Sequence, residues 1–324
     1  MNTTTKNVIY LLLSTLLGGL LMGWIYRGYD FTQLTTVFGL RSNYLWITLA
    51  LCAGVFANLL RSLRWRMLLQ SAAIDITTRR AIELVFISYL INSVTPRLGE
   101  LTRSLLVKRG CAKTSTRALG TVVVEKLADV GCLIVVVGLA VILRWESTVG
   151  LVQSASNSLK LAVPTSTFFL ILGGAICLLI GFSLPFWKHL RRFFLNLWQG
   201  ITAIARLERP GLFLLWCFGI WSCNFLQLYL LLPCFAELTH VNLGDTLHIF
   251  AAASIGVLLP TPAGAGPWHF AIVKTLTSVY GVAKPVAQSF ALVTHGLKTV
   301  LVMLLGILGY LSYFRSVWTK WKTH

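Results

Sequence analysis

The sequence has few charged residues, and acidic residues are the scarcest among them. Only 12% of its 324 residues are charged, and 10 aspartates and glutamates stand against 28 lysines and arginines. A soluble domain carries about 25% charged residues, so this composition excludes an ordinary soluble protein. Because 56% of the residues are hydrophobic, the chain is predicted to be an integral membrane protein.

The motifs of common enzyme classes are also missing. The 6 histidines show no H-E-x-x-H or similar metal-ligand spacing, and there is no P-loop and no G-x-S-x-G motif. Connections between the predicted membrane segments are too short for a soluble catalytic domain, which needs about 50 residues or more. We therefore expect no metal, no cofactor and no soluble catalytic domain.

Long apolar segments are abundant, and a membrane-crossing helix needs about 20 such residues. Four segments contain no charged residue, and two others are equally apolar apart from isolated charges. The six predicted spans cover residues 8–26, 44–60, 118–143, 161–187, 211–236 and 285–314. The expected fold is one all-α, polytopic membrane domain over residues 1–324.

Two further apolar runs, 81–95 and 246–259, are too short to cross a bilayer. Each ends in a cluster of proline and glycine, which break helices or permit tight turns, and each is followed by another short stretch. We predict two re-entrant helical hairpins; two full crossings with a proline kink are the alternative. The predicted hairpin-breaking residues are Pro96, Gly99, Pro260, Pro262, Gly264 and Gly266.

The basic residues are concentrated in alternate connections and at both termini. The positive-inside rule places such regions in the cytoplasm, so both termini are predicted there. Contact with anionic headgroups explains the net charge of +18, and no nucleic-acid partner is expected. This orientation divides the chain into a first half, 44–143, and an inverted second half, 211–314, as in many transporters.

Ionisable side chains within or beside these apolar segments are rare in membrane proteins and usually functional. Guanidinium groups suit bidentate contact with phosphate, although a structural salt bridge is the alternative for each arginine. The predicted phosphate-binding residues are Arg97, Arg103, Asn92 and Lys298. The predicted charge-balancing or proton-relay residues are Glu100, Glu125, Asp129, His269 and His295, with simple packing as the alternative for His269.

Four ordered motifs carry a family resemblance. They are Arg61-Ser-Leu-Arg64-Trp65-Arg66, Asn92 with Pro96-Arg97-Leu-Gly99-Glu100 and Arg103, Glu125-Lys-Leu-Ala-Asp129, and Pro260-Thr-Pro262 followed by glycines. In this combination the chain resembles the lysylphosphatidylglycerol synthase transmembrane family, a flippase-like membrane domain, over nearly its whole length. The resemblance implies a stand-alone member without the aminoacyltransferase domain, in a prokaryotic inner membrane. His269 stands where the family commonly has a glutamate, which puts an acidic role there in doubt.

The residues and the resemblance together favour a flippase or transporter over an enzyme. Its partners would be membrane lipids, and its substrate an anionic phospholipid, a modified phospholipid or a lipid-linked precursor moved between leaflets. Two alternatives stay open. One is a membrane-embedded transferase that uses Glu125 or Asp129 as its base, and the other is a scaffold for a separately encoded lipid-modifying enzyme.

Overall fold

A computed structural model describes residues 3–95, 98–107, 112–158 and 207–322. Within these ranges the chain is helical and contains no β-strand. The α-helices of the described part are α1 Thr3–Ile25, α2 Gln33–Gly39, α3 Asn43–Ser71, α4 Thr78–Val94, α5 Leu98–Leu106, α6 Ala112–Leu143, α7 Trp145–Ser158, α8 Pro210–Tyr229, α9 Leu243–Gly256, α10 Pro267–Ser278 and α11 Lys284–Lys322. Short 3₁₀ turns occur at Leu232–Cys234, Ala236–Leu238 and Pro262–Gly264.

Four helical segments of the described part are long and apolar enough to cross a membrane. They are Asn43–Ser71, Thr114–Leu143, Pro210–Cys234 and Lys284–Arg315, and each coincides with a predicted span. The predicted span 161–187 lies outside the described residues, and the one at 8–26 falls on α1, whose described apolar part is Ser14–Ile25. The chain is a multi-pass membrane protein, and the count of six spans stays a prediction.

Helix α3 continues past Leu60, the predicted end of its span, to Ser71. Arg61 and Arg64, which lie beyond the predicted span 44–60, therefore belong to this helix, and Arg64 is 0% exposed. The apolar pattern alone indicated an earlier end because arginine is unfavourable in hydrocarbon. Carboxylates on α6 compensate these charges and let the helix continue.

Two helical hairpins lie between the long helices. The first hairpin consists of α4 and α5, with 17 and 9 residues, and the second of α9 and α10, with 14 and 12 residues. All four arms are shorter than the roughly 20 residues of a membrane crossing. The second hairpin is interrupted at Pro260 and Pro262, and Gly264 and Gly266 there have φ of 77° and 89°. The break of the first hairpin includes Pro96, which lies outside the described residues.

Capping side chains define where each hairpin begins. The Thr77 hydroxyl accepts the backbone N–H of Arg80 at 3.2 Å, at the start of α4. At the start of α9, Asn242 Oδ1 accepts the backbone N–H groups of Gly244 and Asp245, and the Asp245 carboxylate accepts the Asn242 N–H at 3.1 Å. Such caps satisfy backbone donors that have no partner within the helix.

The two hairpins begin at opposite ends of α11. Ser312, far along α11, donates to Glu83 near the start of α4 at 2.5 Å. His248, near the start of α9, bonds the hydroxyl of Tyr280, which precedes α11, at 3.0 Å. The span of α11 from its start to Ser312 is about 42 Å at 1.5 Å per residue. The hairpins thus enter the bundle from opposite sides, and α4 contacts the Pro262–Gly264 turn of the second hairpin.

The helix packing keeps its pattern when the two halves are exchanged. Helix α3 packs against α8, α4 packs against α11, and α9 packs against α6. Within each half, α5 contacts α6 and α10 contacts α11. Replacing α3, α4, α5 and α6 by α8, α9, α10 and α11 reproduces all of these contacts.

Close approach of α4 and α11 depends on glycine. A Cβ added at Gly306 would lie 2.9 Å from the Phe86 carbonyl oxygen, and one at Gly309 would lie 2.9 Å from the Phe86 Cβ. The largest apolar core of the described residues lies around Ile249 and Phe290, and it includes residues of α1, α2 and α3 as well as of α8 to α11.

Candidate functional site

A cavity of about 750 Å³ lies where the two hairpins meet. This volume is within the range of about 300–1,000 Å³ that is typical of small-molecule sites. Both halves contribute to its wall, through α3 to α6 on one side and α8, α9, α11 and the Pro262–Gly264 turn on the other. The charged side chains that line it are Arg61, Glu100, Lys126, Asp129 and Lys298.

A buried ion network lies beside the cavity, between α3, α5 and α6. Arg64 Nη1 is 2.8 Å from Asp129 Oδ1, and Arg64 Nη2 is 3.3 Å from Glu125 Oε1. The other carboxylate oxygen of Glu125 is 2.5 Å from Arg103 Nη2. Arg64, Glu125 and Arg103 are 0%, 1% and 3% exposed. Charges this deeply buried are tolerated because each is paired.

Arg103 faces this network and is absent from the cavity wall. Its guanidinium carbon lies 4.5 Å above the Trp65 ring, and Glu125 occupies its Nη2. The geometry therefore corresponds to the salt-bridge alternative for Arg103, because a carboxylate already fills the position predicted for a phosphate. Arg97, the other arginine predicted to bind phosphate, lies outside the described residues.

Glu100 and Asn92 link the two arms of the first hairpin at the cavity wall. Lys126 Nζ is 2.8 Å from Glu100 Oε1, and Asn92 Nδ2 donates to the other Glu100 oxygen at 3.0 Å. Asn92 Oδ1 accepts the Gly99 N–H at 2.8 Å. Glu100, predicted to balance charge or relay protons, is thus paired with a lysine.

Gly99 lies in the first turn of α5, next to the interruption between the two arms. A Cβ at this position would collide with the backbone carbonyl oxygen of Ser88. Its role in the structure is therefore close packing of α5 against α4, because only a residue without a side chain fits there.

Lys298 has no carboxylate partner within the described residues. Its Nζ donates to Asn224 Oδ1 at 3.3 Å, and Arg61 repels it as a like charge. Arg61 itself is paired with Asp129 at 3.7 Å. Together, the cavity wall and the ion network contain five described cations, Arg61, Arg64, Arg103, Lys126 and Lys298, and three carboxylates, Glu100, Glu125 and Asp129. This excess of positive charge suits an anionic ligand.

His269 and His295 lie side by side, with ring centroids 4.6 Å apart. His295 lines the cavity, and its Nε2 donates to the Ala263 carbonyl oxygen at 3.1 Å. His269 is 1% exposed, packs edge-on against Tyr26 and Trp268, and neither of its ring nitrogens has a partner within the described residues. This environment matches the packing alternative for His269, and a proton relay through the pair stays a prediction.

Several cavity residues were missed by sequence reasoning. These are Arg61, Lys126, Asn58, Asn224 and Gln227. The spacing of these polar residues could have identified some of them, since residues three apart in the sequence lie on the same face of a helix. Asn58 and Arg61 have this spacing on α3, and Asn224 and Gln227 have it inside the charge-free segment that forms α8.

A family model described as Lysylphosphatidylglycerol synthase TM region matches residues 11–306. The chain belongs to this family. The match covers both hairpins, the ion network and the cavity, and it confirms the family predicted from the four sequence motifs. Each motif contributes a residue to the cavity wall or to the network, as shown by Arg61, Asn92, Asp129 and Thr261. Membership of the lysylphosphatidylglycerol synthase TM family links this membrane protein to lipid metabolism. No curated protein sequence matches the chain.

Proposed function

We propose that this protein is a lipid flippase or transporter of a prokaryotic inner membrane. It moves an anionic phospholipid, a modified phospholipid or a lipid-linked precursor between leaflets. The observation that carries the proposal is the cavity between the hairpins, to which Arg61 of the first half and Lys298 of the second half both present positive charge. A headgroup phosphate would balance the positive charge that the described carboxylates leave uncompensated.

The proposed topology has six spans, two re-entrant hairpins and cytoplasmic termini. Three observations support the hairpins and their inverted arrangement: the hairpin arms are short, the hairpins enter from opposite sides, and exchanging the two halves reproduces the same helix contacts. Irregular backbone is tolerated at membrane depth where protein or a cavity covers it. The irregular segment 257–264 of the second hairpin contributes Val257, Pro260 and Gly264 to the cavity wall, which agrees with a re-entrant loop.

The transferase alternative requires a carboxylate that is free to act as a base. Glu125 does not line the cavity and is held by two arginines. Asp129 does line it, but Arg64 and Arg61 hold its two oxygens at 2.8 Å and 3.7 Å. The geometry therefore favours charge balance for both carboxylates and a transporter for the whole protein.

Lipid movement across reconstituted vesicles tests the proposal. Purified protein is placed in liposomes that contain phosphatidylglycerol with a fluorescent acyl chain, and movement is followed by chemical quenching of the outer leaflet. We expect Lys298→Gln to slow movement about tenfold or more, because a hydrogen bond to a charged group contributes about 1.5–3 kcal/mol. The matched control is Lys284→Gln, which removes an exposed lysine at the start of the same helix, away from the cavity.

Each outcome decides between the candidate functions. Transport would be refuted if protein-containing and empty liposomes gave equal rates of lipid movement for every one of the lipid classes named above. Formation of a modified lipid when a soluble donor is added would support the transferase instead. Equal slowing by Lys298→Gln and Lys284→Gln would show that Lys298 has no specific role in the cavity during lipid movement.

A further inference from the structure

Two cysteines from different halves of the chain meet between α6 and α8. Cys132 belongs to α6 and Cys217 to α8, and these two helices pack together. The Cys132 thiol donates a hydrogen bond to the Cys217 sulfur. Cys217 is 3% exposed and Cys132 is half-buried, and both are reduced. A disulfide requires two cysteines whose side chains point towards each other, and this contact provides such a pair.

The Cys217 sulfur also accepts a hydrogen bond from the buried ion network. Arg64 Nη1 donates to it at 3.3 Å, and the same guanidinium contacts Asp129 at 2.8 Å and Glu125 at 3.3 Å. The network contains three described arginines against these two carboxylates, so its net charge is positive. A neighbouring arginine favours the thiolate form of a cysteine, which is the nucleophilic form. Cys217 is therefore the more nucleophilic member of the pair.

The charge beside the pair decides which chemistry it supports. Two adjacent thiols can bind a soft metal cation or become oxidised to a disulfide. A cation on Cys217 would lie next to Arg64, and like charges repel. A disulfide is uncharged and leaves Arg64 paired with both of its carboxylates. We propose that Cys132 and Cys217 are a redox site, at which an organic hydroperoxide converts the two thiols into a reversible disulfide.

The reaction has two steps. The Cys217 thiolate attacks the terminal oxygen of the hydroperoxide, the O–O bond breaks, and the alkoxide leaves and takes up the proton that the Cys217 thiol gave up. Cys217 is then a sulfenic acid, and the Cys132 sulfur attacks the Cys217 sulfur. An S–S bond forms, the S–O bond breaks, and hydroxide leaves with the Cys132 proton as water. The two thiols are oxidised by two electrons, and the hydroperoxide is reduced to an alcohol and water.

The disulfide would join the two halves of the protein beside the cavity. Cys132 adjoins Leu133, which lines the cavity. Cys217 precedes Trp221, another residue of the cavity wall, by four residues and so lies on the same face of α8. Transporters built from inverted halves work by moving one half against the other. Oxidation would therefore slow lipid movement, and this effect, unlike the disulfide itself, rests on the proposed function.

Peptide mass spectrometry tests the disulfide independently of transport. The purified full-length protein in detergent is treated with cumene hydroperoxide, free thiols are blocked with iodoacetamide, and proteolytic peptides are analysed with and without dithiothreitol. We expect a linked pair of peptides that contains Cys132 and Cys217 and is lighter by two hydrogen atoms than the two reduced peptides together. Dithiothreitol should separate the pair.

Single serine substitutions test the order of the two steps. Cys132→Ser should stop the reaction at the sulfenic acid of Cys217, which dimedone traps as a stable adduct. Cys217→Ser should form neither the linked pair nor a comparable dimedone adduct on Cys132. The matched control is Cys223→Ser, because Cys223 is also a half-buried cysteine of α8. This control should form the linked pair as the unsubstituted protein does, and circular dichroism checks that all three variants are folded.

Several results would overturn the inference. Absence of the linked pair from the unsubstituted protein would show that the two thiols do not react together, and a disulfide between Cys217 and any other cysteine would contradict the assigned partner. A dimedone adduct on Cys132 in Cys217→Ser, as abundant as that on Cys217 in Cys132→Ser, would contradict the role of Arg64.

Lipid movement in liposomes separates this inference from the proposed function. Oxidised protein should lose most of its lipid movement, dithiothreitol should restore it, and Cys132→Ser should resist the oxidant. Unchanged movement after complete formation of the linked pair would refute the restraint on the two halves. A linked pair in a protein that moves no lipid even when reduced would refute the proposed function and support the redox site.

Discussion

Replacing Glu125 by glutamine tests how strongly the buried ion network stabilises the helix bundle. Glutamine keeps the size of the side chain but removes the charge that two arginines face. Arg64 keeps Asp129 at 2.8 Å, whereas Arg103 has no second carboxylate within the described residues. Removing one partner of a buried pair is destabilising by about 3–5 kcal/mol. We expect Glu125→Gln to lower the free energy of unfolding by about this amount, mainly because of Arg103.

A double substitution separates the ion pair from other effects. Arg103→Met keeps an extended apolar side chain over the Trp65 ring and removes the charge that Glu125→Gln leaves unpaired. The double variant should therefore be more stable than Glu125→Gln alone, with a coupling of about 0.5–3 kcal/mol. Unfolding in detergent micelles, titrated with a denaturing detergent and followed by circular dichroism, measures all three variants.

Glu146→Gln is the matched control, because Glu146 is exposed and has no ion pair in the described part of the chain. It should change stability by about 0.5 kcal/mol or less. Equal stability of Glu125→Gln and Glu146→Gln would refute the assignment of a stabilising role to the network. A double variant no more stable than Glu125→Gln would refute the specific pairing of Glu125 with Arg103.

Two further substitutions test the packing of the hairpins, with thermal unfolding in detergent as the measurement. Gly306→Ala should be destabilising by about 1–3 kcal/mol, because the added Cβ meets α4 within 3 Å. The control is Gly296→Ala on the same helix, whose Cβ meets nothing within 4 Å. Equal unfolding temperatures of the two variants would contradict this packing. Asn242→Ala should be destabilising by about 0.5–2 kcal/mol, because it removes the cap of α9 and a contact with Arg144; an unchanged unfolding temperature would contradict the cap.

The fold class, the family and four spans could be predicted from the sequence because each depends on local features. A long apolar segment indicates a membrane-crossing helix whatever it packs against. Proline and glycine together indicate an interruption of a helix in the same way. The end of α3 was predicted wrongly because it depends on contacts between residues that are far apart in the sequence. Arg64 is compatible with a buried helix only because Asp129 and Glu125, far away in the sequence, lie next to it.

The site was less predictable than the fold because it depends on helix rotation. Arg103 could face a cavity or a carboxylate on α6, and only the orientation of the short helix α5 decides between them. Lys298, predicted to bind phosphate, does line the cavity. Asn224 and Gln227 carry no charge, so the search for intramembrane charges did not identify them, although an amide offers both hydrogen-bond donors and an acceptor.

The two halves pack alike but differ in how their charges are balanced. In the first half each described cation of the cavity wall already has a carboxylate, since Lys126 binds Glu100 at 2.8 Å and Arg61 lies 3.7 Å from Asp129. In the second half Lys298 has only a neutral amide. A phosphate can therefore bind Lys298 without breaking an existing ion pair, and the longer Arg61–Asp129 pair is the next to yield. This order follows from separation, because attraction between charges weakens with distance. Under the proposed function, Lys298 would therefore be the first cavity cation to bind a headgroup phosphate.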